Sequence, residues 1–195
     1  MALDHSCQVQ RHSLKERGDD LYETPDVATL ALLRIENLPH RLWEPAAGRG
    51  RMVNVLRGAG HEVLASDLLD YGVPTHFARR DFLMEWKLPD GCEAIVTNPP
   101  FKLAEKFVAH ALHLCPRVVM LLRLAFYESM RRTHILEQPC APARIHVFRK
   151  RLPMMHRDGW AGRKANSGMA FAWFVWDLTD ENNPTVIDRI SWEHE

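Results

Sequence analysis

The chain lacks several features that would assign a function at once. Of its 195 residues only four are cysteine (Cys7, Cys92, Cys115 and Cys140), and no two of them form a CxxC pair. That pattern argues against a zinc site or a disulfide framework and leaves scattered, reduced thiols. There is no charge excess either: Lys+Arg and Asp+Glu are both 25. The whole molecule is therefore not drawn to polyanions, and any such attraction must come from uneven placement of its charges. The longest apolar runs, "VVMLL" and "MAFAWFVW", fall far short of the ~20 residues needed to span a bilayer. No apolar N-terminal segment resembles a signal peptide. The expectation is a cytoplasmic protein with no membrane partner. The 11 histidines show no HxxxH-type spacing, so no metal is expected.

What is present reads as one domain. Residues 1–20 are polar and without periodicity, which predicts a flexible N-terminal arm. Residues 21–195 are expected to form a single domain. In "ETPDVATLALLRIENL" Thr24 is a candidate N-cap, Pro25 suits the first helical turn, and Val27, Leu30 and Ala31 share a face. "RLWEPAAGRG" reads as a strand entering a glycine turn, and "RMVNVLRGAG" as a helix stopped by Gly58 or Gly60. "HEVLASDL" and "AIVTNPP" read as buried strands. "KLAEKFVAHALHL" has helical spacing, and "RVVMLLRL" is apolar throughout, as in a parallel sheet covered on both faces. "RIHVFRK" and "AFAWFVWDL" follow as strands, and "RISWEHE" as a tail or edge element. Strands alternating with helices predict a Rossmann-like, mostly parallel seven-stranded α/β sheet with helices on both faces and the last strand antiparallel.

Three strand ends carry residues with chemistry. Gly48 and Gly50 permit close approach of backbone to a ligand. Asp67 follows Glu44 by 23 residues, at the end of the next expected strand, where an acid grips ribose hydroxyls in nucleotide-binding α/β folds. Two carboxylates at successive strand ends suit a ligand with hydroxyls and an ammonium group. The turn lacks the full GxGxxG pattern, which disfavours a dinucleotide. Asp81 with Phe82 pairs an acceptor with a ring, a combination suited to an adenine. "TNPPF" is the most specific stretch: the prolines Pro99 and Pro100 end the strand and stiffen the backbone beside the amide of Asn98 and the ring of Phe101.

In the order "YETP", "EPAAGRG", "SDL", "RDF", "TNPPF", the chain resembles the class I S-adenosylmethionine-dependent methyltransferases. Within them it is most similar to the amino-methyltransferases with an (Asn/Asp)-Pro-Pro-aromatic signature, in particular small free-standing adenine-N6 DNA methyltransferases of bacteria and phages. The resemblance covers roughly residues 20–176 and implies a set of roles. Tyr22, Thr24 and Pro25 would flank the methionine end of S-adenosyl-L-methionine. Glu44, Ala46, Gly48 and Gly50 would form the cofactor loop. Asp67 would take the ribose with Leu68 beside the adenine, and Asp81 and Phe82 would hold that adenine. Asn98, Pro99, Pro100 and Phe101 would be catalytic.

The substrate side is read from charge. Residues 144–164 hold seven Lys/Arg against the single acid Asp158, with aromatic residues between them. Basic and aromatic residues beside a base pocket suit phosphates and stacked bases. Arg123, Phe126, His156, Arg157, Trp160, Arg163 and Lys164 are the candidate substrate contacts. The expected partner is nucleic acid, DNA ahead of RNA. Between Phe101 and Trp176 there is no room for a separate target-recognition domain, so either short loops or a homodimer would supply selectivity, or sequence selectivity is weak. The alternatives are methylation of RNA adenine or of a protein glutamine amide, and a noncatalytic cofactor-binding subunit of an active partner.

Overall fold

The protein is described by a computed structural model over residues 23–72, 77–154, 168–179 and 184–193. The arm expected over residues 1–20 lies outside these. Strands β1 (Arg41–Glu44), β2 (Glu62–Asp67), β3 (Phe77–Arg79), β4 (Ala94–Thr97), β5 (Arg117–Arg123), β6 (Arg144–Phe148), β7 (Phe171–Asp177) and β8 (Val186–Ile190) form one sheet. Their order is β3-β2-β1-β4-β5-β7-β6-β8. β1, β2, β3, β4 and β5 pair in parallel, β7 runs antiparallel to both β5 and β6, and β8 returns parallel to β6.

The expected mostly parallel α/β architecture holds, with one strand more than the seven anticipated. The antiparallel strand is the "AFAWFVWDL" segment, and β8 adds an edge beyond β6.

The two faces follow from the two-residue period of a strand. In β5, Val119 and Leu121 point to one face and Val118, Met120 and Leu122 to the other. β7 divides likewise, with Phe171, Trp173 and Val175 against Ala172, Phe174 and Trp176. Helices α1 (Asp26–Ile35) and α2 (Arg51–Gly58) pack together over the first face through Ala28, Leu32, Met52, Val53 and Leu56. Helix α3 (Ala104–Leu114) covers the second with Phe107, Val108 and Ala111, joined by the short α4 (Thr133–Leu136). Each of these large apolar side chains contributes about 1.5–3 kcal/mol by leaving water. Buried indoles are tied down as well: Trp173 donates to the Ala28 carbonyl at 3.0 Å and Trp43 to Ser66 Oγ at 2.9 Å.

One local expectation changes. Pro25, not Thr24, is the N-cap of α1. Its ψ of 140° keeps it extended and outside the helix, so Thr24 is one residue too early to cap and is buried instead. Among the described residues no helix is long and apolar enough to cross a membrane.

Candidate active site

The parallel strands β1, β2 and β4 deliver Glu44, Asp67 and Asn98 to the same carboxyl edge of the sheet, where ligands bind in open α/β folds. A cavity of about 330 Å³ opens there, within the usual range for small-molecule sites. It is lined by Thr24, by Glu44, Ala46 and Gly48, by Asp67 and Leu68, by Asp81 and Phe82, and by the whole run Asn98–Phe101. Residues dispersed over 78 positions of the chain thus share one wall (Thr24 to Phe101).

The glycine turn is held by β2. Ala47 N–H donates to the Ser66 carbonyl at 3.0 Å, and Gly48 N–H donates to Asp67 Oδ2 at 2.8 Å. Gly48 and Gly50 have φ of 52° and 81°, in the left-handed region that side chains with a Cβ rarely adopt. Gly50 then caps α2 from behind the cavity wall. Asp67 also accepts from Leu69 N–H at 3.0 Å, which fixes the carboxylate. Each of its oxygens thereby has one protein donor and retains a further lone pair for a ligand.

Glu44 differs from Asp67. It is 1% exposed, Thr97 Oγ1 donates to its Oε1 at 2.6 Å, and its Oε2 is buried with no hydrogen-bond partner among the described residues. Burial pushes its pKa up to about 8; the nearby Asp67 charge adds to the rise, while the Thr97 hydroxyl and the Ala46 and Asn98 backbone N–H groups work against it. At neutral pH the Glu44 carboxyl is therefore protonated.

Asp81 caps a single 3-10 turn, Phe82–Met84, by accepting from Leu83 N–H at 3.1 Å. The Phe82 ring is locked between Trp43 (5.2 Å, edge-on) and Phe107 (4.7 Å), so it forms a rigid apolar wall.

Phe101 is seated by the far half of the sheet. Its ring lies 5.7 Å from that of Phe171, and the Arg123 guanidinium lies 4.0 Å from its centroid. Arg123 and Phe171 are paired in register across β5 and β7. A cation over an aromatic face is favourable, more so when partly desolvated, and Arg123 Nε is buried without a partner among the described residues.

The remaining candidates are placed as follows. Arg123 reaches the cavity only through Phe101. Phe126 is not brought to it: the side chain is 6% exposed, packed on Phe174 and beneath the Arg132 guanidinium on the α3 face. Pro25 is buried at the start of α1. Tyr22, His156, Arg157, Trp160, Arg163 and Lys164 lie outside the described residues. The cavity also takes Tyr71, Arg80, Leu103 and Phe107, which sequence reasoning did not single out. Thr97 was missed too, because its partner Glu44 stands 53 positions away.

No family model and no curated protein matches this sequence. Solved structures do match in fold. The methyltransferase subunit of a type I restriction-modification system from Streptococcus thermophilus aligns with a TM-score of 0.58 at 14% identity, covering 86% of this chain and 47% of that one. A Pyrococcus horikoshii protein assigned as an RNA methyltransferase aligns at 0.57 and 14% identity, covering 80% and 85%. TrmN from Thermus thermophilus aligns at 0.53 and 23% identity, covering 78% and 48%. The chain thus has the fold of these methyltransferases and spans about half the length of the streptococcal subunit and of TrmN.

Proposed function

We propose that the protein is an S-adenosylmethionine-dependent methyltransferase acting on the exocyclic N6 amine of adenine in nucleic acid, DNA in preference to RNA. The observation that carries this reading is the meeting of Glu44, Asp67 and the rigid Asn98–Phe101 turn in one cavity. The cavity's chemistry fits the donor: the Asp67 carboxylate suits ribose hydroxyls, and the buried unpartnered Oε2 of Glu44 suits an ammonium. When bound, S-adenosylmethionine supplies the electrophilic methyl on its sulfonium.

The protein's own part is alignment. An adenine amine is a weak nucleophile because its lone pair is delocalised into the ring. The Asn98 side-chain oxygen and the Pro99 carbonyl each accept one of its N–H groups, which draws the nitrogen toward tetrahedral geometry. The same two oxygens stabilise the positive charge that grows on nitrogen during transfer. The ammonium-like product is acidic and sheds its proton without a strong base. Phe101 supplies the aromatic surface for the target ring, and Pro99 and Pro100 hold the acceptors in place before substrate arrives. A target within a duplex must first be flipped out.

A melting-temperature comparison with S-adenosylmethionine and NAD tests the donor, because a ligand specific for the folded state raises the melting point. S-adenosylmethionine is expected to raise it and NAD to leave it unchanged; the opposite result contradicts the reading.

A further inference from the structure

Charge is divided along the carboxyl edge of the sheet. The β1–β2 half carries Glu44, Asp67 and Asp81, and two of its arginines are neutralised: Arg51 pairs with Asp26 at 3.2 Å and Arg80 with Glu85 at 3.6 Å. The half beyond the Asn98–Phe101 turn is different. β6 is antiparallel to β7, which is antiparallel to β5, so β6 runs in the same sense as β4. Its outgoing residues Arg149 and Arg151 therefore leave at the same edge as Asn98. Val147 pairs with Ala172 and Arg123 with Phe171, so Arg149 stands just above the level of Arg123.

Lys102, Arg149 and Arg151 are exposed, Arg123 is half-buried against Phe101, and among the described residues none of the four has a carboxylate partner. With strands about 4.8 Å apart, the three steps from β4 to β6 spread these cations over roughly 14 Å.

We propose that Lys102, Arg123, Arg149 and Arg151 form a track for the sugar–phosphate backbone of a polynucleotide, leading to the Asn98–Phe101 turn. The inference rests on the proposed function and deepens it, since it names a polyphosphate, rather than a polypeptide, as the substrate backbone. Four cations with no carboxylate partner among the described residues, on one edge of a molecule of zero net charge, are a local concentration that a neutral glutamine-bearing chain would not need. Arg123 differs from the other three: its stack on Phe101 holds it in place beforehand, so less rotamer freedom is lost when it meets a phosphate. It is the track's innermost contact, next to the target.

The test is equilibrium binding of single-stranded DNA, duplex DNA and RNA of one sequence, measured across salt concentrations, for the wild type and the K102Q/R149Q/R151Q variant. These three side chains are exposed, so donor binding and melting temperature serve as the folding control. Each lost phosphate contact lowers the slope of log K against log salt by about 0.7–0.9, so the triple variant should lose about 2–3. Which polymer the wild type binds most tightly at a fixed salt concentration identifies the source of the phosphates. A wild-type protein that binds a polymer with a slope the variant leaves unchanged overturns the track and leaves the proposed function standing. Donor binding without binding of any of the three polymers overturns both the track and the nucleic-acid reading.

Discussion

Thr97 Oγ1 donates a 2.6 Å hydrogen bond to Glu44 Oε1, joining the ends of the adjacent parallel strands β4 and β1. This bond satisfies one oxygen of a fully buried carboxyl that lines the cavity and leaves the other without a partner among the described residues. The Thr97 hydroxyl is the larger of the hydrogen bonds opposing the burial-driven rise of the Glu44 pKa to about 8.

A proton should therefore leave when the donor binds. Near pH 7 the Glu44 carboxyl is protonated, and an ammonium placed against Oε2 favours the ionised form. Binding of S-adenosylmethionine at pH 7 is expected to release about one proton, read by titration calorimetry in buffers of different ionisation enthalpy. The Glu44→Gln variant should release none and bind about tenfold or more weakly. Equal proton release from both proteins would remove Glu44 from the donor site.

Asn98 sits in the same wall but is assigned to the substrate amine. Asn98→Ala is expected to keep donor affinity and to lose about 100-fold or more in turnover at saturating donor, the scale seen when one transition-state hydrogen bond is removed. A loss of donor affinity parallel to the loss of rate would contradict that assignment.

The sequence showed the elements of this site better than it showed their connections. Six strands and three helices could be read from period and punctuation, because "VVMLL", "AIVT" and "AFAWFVW" are apolar on both faces and Gly58, Gly60 and the Pro99–Pro100 pair stop what precedes them. β3 escaped because Phe77–Arg79 is three residues long and carries no alternation. β8 was read only in part, its end falling in the tail or edge element "RISWEHE", because Val186 to Arg189 are exposed and no buried face marks the strand. Contacts between distant segments leave no local trace. Neither the Thr97–Glu44 bond nor the seating of Phe101 by Arg123 and Phe171 can be found by spacing, since the register of β5 on β7 creates the second. Phe126 shows the converse: it follows an edge residue in sequence, yet the 3-10 turn Leu124–Phe126 carries it into the core.

A second buried charge cluster, remote in sequence, ties α1 to β6 and β8. Glu36, 7% exposed, accepts from Arg144 Nε and Nη2 at 2.6 and 3.0 Å and meets His146 Nε2 at 2.8 Å, while His146 Nδ1 meets Asp188 at 2.6 Å. Burial opposes ionisation of Glu36, but the His146 and Arg144 hydrogen bonds and charges outweigh it and bring its pKa down to about 2. Burial likewise opposes a charged His146, and its two carboxylate partners outweigh it, so its pKa is raised. The signs set a window. The Glu36 contribution, roughly 3 kcal/mol from the displacement of its pKa, is present above about pH 4.5 and is lost as pH falls toward 2. The His146 contribution is complete below about pH 6.5 and is lost as pH rises through its raised value. Urea unfolding should therefore show this cluster's stabilisation greatest between about pH 4.5 and 6.5. Glu36→Gln should flatten the acid limb, and an acid limb unchanged in that variant would refute the assignment.

The central claim is that the Asn98–Phe101 turn presents acceptors to an adenine amine in line with a bound methyl donor. Labelled S-adenosylmethionine incubated with the protein and adenine-containing DNA or RNA, followed by digestion to nucleosides, tests it most directly. The label is expected in N6-methyladenine and to be absent with Asn98→Ala. Label recovered only in protein from a mixed extract, or in a nucleoside other than N6-methyladenine, would contradict it.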